Sequence, residues 1–246
     1  MPRPFDRQRY RKLKIFLGIE TSTPVCSVAL ACDARVVVEY TLELGSHHSE
    51  RLQPMVEMAL QEAGLSVGDL DGVAVAAGPG SFTGLRIGMG LAKGLCRGAN
   101  LVFVRVSTLA AMAFGAGVEG VPVCPMLDAR RGDVYAGVYD LVAGDPISKM
   151  PDRADAVSNW VTRLPRPVTV VGDGAWAHRD VIVDELGRDA YFANATLGRP
   201  TAGAVALLGQ ARCERGEVDD AETAEPFYLR RTQAERVREA RLTGDE

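Results

Sequence analysis

The chain has 246 residues, 47% hydrophobic and 24% charged, with a formal net charge of −4. That length holds one large domain or two lobes of about 100 residues each, and the acidic balance offers no global attraction to nucleic acid or anionic membrane. No apolar run approaches the roughly 20 residues that span a bilayer, and Ile15 to Ile19 is too short for a secretory core, so a cytoplasmic protein without membrane association is expected. The cysteines Cys26, Cys32, Cys96, Cys124 and Cys213 form no Cys-x-x-Cys pair and read as free thiols. His47, His48 and His178 are the only histidines, two of them adjacent, and no metal site is expected from them.

Residues 1–13 form a basic arm, with Arg3, Arg7, Arg9, Arg11 and Lys12 against Asp6, read as a solvated, disordered tail. Three strands follow, at 14–20, 25–32 and 35–41, joined by Thr21-Ser-Thr-Pro24 and Asp33-Ala34. From Ser49 to Ala63, Leu52, Met55, Val56, Ala59, Leu60 and Ala63 share one face at helical spacing, and Gly64 ends the helix. Val73 to Ala77 has strand length, Gly78-Pro-Gly80 stops it, and Ser81 or Thr83 caps the helix that runs on to residue 97. A glycine loop that opens a helix gathers unpaired N–H groups suited to phosphate or carboxylate; a simple tight turn is the plainer reading.

Helix 82–97 carries more apolar surface than one sheet needs. Between Phe82 and Cys96 its charges are Arg86 and Lys93 alone, seven apart and therefore one narrow seam, while apolar side chains point in most other directions. A helix lying on its own sheet requires a single apolar stripe. Gly84, Gly88 and Ala92 recur every four residues, a row that lets another helix approach closely. A partner-facing surface is therefore expected from Leu52, Met55 and Val56 with Gly84, Leu85, Arg86, Gly88, Met89, Ala92 and Lys93. The competing reading is a central helix buried within one domain.

A strand at 101–106 closes the first lobe, residues 14–106. The second, residues 107–231, reads as a helix at 108–114, strands at 121–127 and 133–139 joined by Asp128-Ala-Arg-Arg-Gly132, and an irregular stretch at 143–167 with a short helix near 158–164. A strand at 168–171 then ends at Gly172-Asp-Gly174, and a helix begins at Thr201. Residues 232–246 form a charged tail. The fold class is α/β, mixed sheets flanked by helices, with no repeat between lobes beyond a shared strand, glycine, helix order.

Five motifs in order resemble one family: Gly18-Ile-Glu-Thr-Ser22, Gly78-Pro-Gly-Ser-Phe-Thr-Gly-Leu-Arg86, Asp128-Ala-Arg130 with Asp133-Val-Tyr135, Gly172-Asp-Gly-Ala175 and Pro226-Phe-Tyr-Leu-Arg230. From about Lys14 to Arg231 the chain is similar to the TsaB (YeaZ) family. The resemblance implies an actin-like, two-lobed ASKHA (ribonuclease H-like) fold. It also implies a non-catalytic scaffold and activator in the formation of N6-threonylcarbamoyladenosine (t6A) at position 37 of tRNAs reading ANN codons. The paralogue TsaD (Kae1 type) would carry the transferase and TsaE an ATPase. This chain would bind TsaD directly, meet TsaE within the complex, self-associate as a homodimer through the same helices, and touch tRNA only indirectly.

TsaD carries a metal-binding His-x-x-x-His pair, whereas this chain has Ser46-His-His-Ser-Glu50, without a histidine at that offset. Glu20, Thr21, Ser22, Gly78, Gly80, Ser81, Gly172, Asp173 and Gly174 would line a degenerate nucleotide or anion cleft. There Glu20 would face phosphate, and Asp173 would repel it while able to bond a ribose hydroxyl. No cofactor is required on this reading, and ATP or ADP would bind weakly at most. An independent actin-like kinase is the first competing function; it needs Mg²⁺-holding carboxylates, for which Glu20 and Asp128 are the candidates. A peptidase is the second, and Ser81, Ser107 and Cys124 stand without a flanking base motif.

Overall fold

The computed structural model describes residues 14–230, except 44, 46, 118 and 195; the basic arm and the charged tail lie outside the described residues. The first sheet is made of β1 (Ile15–Glu20), β2 (Val25–Cys32), β3 (Arg35–Glu43), β4 (Gly72–Gly78) and β5 (Val102–Ser107), in the order β3-β2-β1-β4-β5. β1, β2 and β3 are antiparallel neighbours, whereas β4 and β5 run parallel to β1. α1 (His48–Ala63) links β3 to β4, α2 (Phe82–Ala99) links β4 to β5, and α3 (Thr108–Ala116) leaves β5.

The second sheet repeats that plan strand for strand. β6 (Val123–Asp128), β7 (Asp133–Val142), β8 (Asp145–Ala156), β9 (Val168–Val171) and β10 (Ala190–Phe192) are ordered β10-β9-β6-β7-β8, with two antiparallel and two parallel pairings in the same places. Its helices are α4 (Val157–Val161), α5 (Asp173–Ala177), α6 (Arg179–Leu186) and α7 (Ala202–Glu214). The duplication is topological, which is why residue comparison between the halves does not reveal it. Two such mixed sheets flanked by helices make the actin-like ASKHA fold.

β1, β2 and β4 are buried along their whole length because helices cover both faces of the sheet, the condition under which strands read as unbroken apolar runs. α1 and α2 lie on one face, and Leu52, Met55, Val56, Ala59, Met89 and Ala92 fill the core there. On the opposite face Phe16, Ala74, Ala76 and Val104 meet Ala204, Val205 and Leu208 of α7. α7 falls within residues 107–231 yet packs on the first sheet. α3, which opens the same span, packs Leu109, Met112 and Ala113 with Val123, Leu127 and Val171 of the second sheet and Ala111 with the core of the first. Each sheet has one face left to bury after its own helices are placed, and the crossover helices bury it.

Two expectations are corrected. The stretch 143–167 is regular over Asp145–Ala156, where β8 forms the sheet edge; Pro146 and Pro151 are tolerated there because an edge strand leaves N–H positions unpaired. Beyond Gly174, α5, α6 and β10 were not anticipated. Among the described residues no helix is long and apolar enough to cross a membrane.

The chain then doubles back. Asp219 accepts from Arg105 N at 2.8 Å and from its guanidinium at 2.7 and 2.9 Å. Phe227 N donates to Ala77 O at 2.7 Å. Residues 219–230 are thus a strap across the first lobe.

Candidate functional site: the cleft between the lobes and its flanking helix

Between the lobes lies a cavity of about 670 Å³. Ser22, Thr23, Gly80 and Ser81 line it from the first lobe, Asp128, Arg130, Tyr135 and Asp173 from the second. Four loops meet there: the hairpins β1–β2 and β6–β7, and the glycine loops after β4 and β9.

The glycines serve close packing against these hairpins. A Cβ on Gly84 would overlap the carbonyl oxygen of Thr21, and one on Gly80 that of Ser22. In the second lobe a Cβ on Gly172 would overlap the carbonyl oxygen of Met126, and one on Gly174 would press on the main chain of Leu127 and Asp128. Gly78, at φ +121, lies under the Phe227 carbonyl of the strap. Ser81 N is bonded to Ser22 O at 2.6 Å, and Ser81 Oγ caps α2 by accepting from Gly84 N at 3.2 Å. Both groups are therefore spent within the fold.

Glu20 is the principal correction in the cleft. It was expected to face phosphate, but it is fully buried. Its Oε1 accepts from Ser22 N at 2.5 Å and Ser22 Oγ at 2.6 Å, and Oε2 has no hydrogen-bond partner among the described residues. Desolvation raises its carboxyl from 4.5 to about 7, against the hydrogen bonds from Ser22. Thr21 is also buried, its hydroxyl donating to Gly84 O at 2.8 Å.

The carboxylates that do reach the cleft serve its loops. Asp173 Oδ1 accepts from Gly174 N at 2.8 Å and Asp128 N at 3.2 Å, and partial desolvation raises its carboxyl. Asp128 Oδ1 accepts from Arg130 N at 2.8 Å. His48 Nε2 lies 3.0 Å from Thr23 O and 3.1 Å from Val25 O, so the imidazole pins the first hairpin to the start of α1. The hydroxyls and thiol considered as nucleophiles are committed as well: Ser107 Oγ donates to Asp152 at 2.7 Å, and Cys124, whose Sγ accepts from the Trp160 indole N–H at 3.3 Å, is pushed by burial up to about 12.

The side chains expected at a partner surface lie mostly inside the fold. Leu52, Met55, Val56, Leu85 and Met89 are core residues. Gly84 and Gly88 turn toward Thr21, and Ala92 is buried with them. Acidic substitutions at Leu85 or Met89 would therefore unfold the chain rather than report on a partner. Arg86 and Lys93 anchor the strap: Arg86 Nε donates to Tyr228 OH at 3.3 Å, and Lys93 Nζ to Glu222 O at 3.4 Å. Phe82 stacks on Tyr228, ring centroids 5.3 Å apart. The second apolar side of α2 is thus partly covered by the chain's own strap, whose sequence signal was Pro226-Phe-Tyr-Leu-Arg230.

What stays open on α2 is a different row of small residues. Gly90, Gly94 and Gly98 are exposed, and a Cβ on any of them would meet nothing within 4 Å. Ile87, Leu91 and Leu95 flank them half-buried, and Met58 of α1 is 50% exposed.

The family model for TsaD, tRNA N6-adenosine threonylcarbamoyltransferase, matches residues 43–237. The tRNA threonylcarbamoyladenosine biosynthesis protein TsaB of Bacillus subtilis is 34% identical over 223 residues, covering 89% of this chain and 95% of that protein. A tRNA N6-adenosine threonylcarbamoyltransferase of Cereibacter sphaeroides is 58% identical over 66 residues, 27% of this chain and 18% of that protein. The solved structure of YeaZ from Pseudomonas aeruginosa is similar with a TM-score of 0.76 and 32% identity, covering 88% of this chain and all of that one.

Proposed function

This chain is a member of the TsaB (YeaZ) family of tRNA threonylcarbamoyladenosine biosynthesis proteins, and from that membership we propose that it is the non-catalytic subunit that binds and activates TsaD. The observation that carries the reading is the open row Gly90, Gly94 and Gly98. Glycine inside a helix costs roughly 0.5–1 kcal/mol relative to alanine, and among the described residues nothing occupies the space a methyl group would take. A second helix lying across α2 would occupy it. The proposed TsaD-binding strip is this row with Ile87, Leu91 and Met58, and in the absence of TsaD the same strip would join two copies of the chain.

The cleft supports the non-catalytic half of the proposal. Glu20 is sealed away from it, and Asp128 and Asp173 each give one oxygen to loop amides, so among the described residues no carboxylate pair stands wholly uncommitted for Mg²⁺ on a triphosphate. The chain then needs no cofactor of its own and takes ATP or ADP weakly; TsaE would join within the complex. The test is size-exclusion chromatography with TsaD. Gly94→Leu should keep the monomer folded and abolish co-elution. Co-elution equal to wild type, with the variant folded, would overturn the assignment.

A further inference from the structure

We infer that the rim of the cleft, where the strap meets the β6–β7 hairpin, is an RNA-contacting patch that takes a single-stranded loop of tRNA. The inference rests on the reading that this chain works in tRNA modification, and it departs from the expectation of purely indirect contact. The patch is built from Phe82, Arg86, Arg130, Arg131, Tyr228 and Arg230. Arg230 makes it continuous: its guanidinium donates to Ala129 O at 3.2 Å, pairs with Asp133, and lies 5.7 Å over the Tyr135 ring, so the strap is fastened to the hairpin.

Two features distinguish this rim from an ordinary solvated surface. Arg86, Arg130 and Arg131 have no carboxylate partner among the described residues, although the chain as a whole carries a net charge of −4. Arg130 and Arg131 occupy consecutive exposed positions of the hairpin tip. On the strap side of the same rim two aromatic rings are partly open to solvent: Phe82 is 39% and Tyr228 38% exposed, tilted 34° to each other, with the Arg86 guanidinium 4.0 Å over Phe82. Guanidinium groups without a carboxylate at Arg130 and Arg131, on one rim with two partly exposed aromatic rings, are the chemistry that binds unpaired nucleotides. A protein partner would call for apolar area at the centre of the contact, whereas the hairpin tip presents charged side chains, Arg130 and Arg131 with Asp128 beside them in the chain.

The test measures binding of an ANN-decoding tRNA transcript to the complex of the full chain with TsaD, by fluorescence anisotropy over a range of KCl concentrations. Arg130→Ala/Arg131→Ala should weaken binding at least fivefold. It should also lower the slope of log affinity against log salt by roughly 1.4, the share of two phosphate contacts on a single strand. Tyr228→Ala should weaken binding about fivefold and leave the slope unchanged, as loss of stacking does. The turn itself is held by main-chain groups, Asp133 N to Arg130 O at 3.2 Å among them, so the arginine variants fold.

Unchanged affinity and slope in variants that still co-elute with TsaD would refute the inference and leave the proposed function standing. Loss of TsaD co-elution in the arginine variants would refute it too, by making the rim a protein contact. Failure of the wild-type chain to co-elute with TsaD would instead bring down the reading beneath it.

Discussion

The two lobes share one strand plan, and their differences divide the labour. In both, the first strand ends in a carboxylate, Glu20 in β1 and Asp128 in β6, and in both a glycine loop packs against the hairpin that follows. Yet Glu20 is sealed in the core whereas Asp128 is exposed in the cleft. The helices diverge further: the 16 residues of α1 and 18 of α2 correspond to only five in α4, and to five and eight in α5 and α6. A duplicated frame thus carries long outer helices on one lobe and an exposed hairpin at the cleft on the other.

The largest break in that shared frame is expected at Gly84. The neighbour that a side chain would strike is the Thr21 main chain, which Thr21 Oγ1 itself fixes to Gly84 O, so no flexible group can yield. Gly84→Leu should cost more than about 4 kcal/mol, within the range reserved for severe core disruption, and leave little folded protein by circular dichroism. A soluble variant melting with wild type would show that the loop and hairpin are not rigidly packed.

Much of this frame was legible in the sequence. The apolar runs of β1, β2 and β4, the α1 face and the Ser81 cap follow directly from periodicity and capping chemistry, and the resemblance supplied the two-lobed fold. What was not legible depended on long-range return of the chain. Arg86 and Lys93 read as a bare seam because their partners Tyr228 and Glu222 lie 142 and 129 residues away. The row Gly84, Gly88 and Ala92 and the row Gly90, Gly94 and Gly98 have the same spacing, and only the position of the sheet decides which is buried. Glu20 misled for a related reason: its own turn is polar, and the burial comes from the helices laid over both faces of the sheet.

The buried Glu20 sharpens the comparison through pH. Its carboxyl titrates near 7 when folded, against an ordinary 4.5, so the folded state holds the proton more tightly than the unfolded state. Stability from this group is complete below pH 4.5 and lost as pH rises toward and through 7. The difference amounts to roughly 3 kcal/mol at 1.36 kcal/mol per pH unit. Glu20→Gln keeps an acceptor for Ser22 and removes the titration. Denaturant unfolding at pH 5 and pH 8 should show the wild type losing about that much more than the variant. Equal losses in the two proteins would mean that the carboxyl is hydrated after all.

The smallest effect falls on the open row of α2, and its sign matters more than its size. At Gly90 a methyl group meets nothing within 4 Å, so Gly90→Ala should raise monomer stability by about 0.5–1 kcal/mol through helix propensity alone. At Gly84, one and a half turns earlier in the same helix, even that methyl group would overlap the Thr21 carbonyl oxygen. The two positions therefore differ: the fold demands glycine at 84 and makes no such demand at 90. If close approach of a partner helix is what keeps Gly90, the same substitution should weaken co-elution with TsaD while raising the melting temperature. Stability and association both rising would move the partner off this strip, since a contact that tolerates added bulk does not need glycine there.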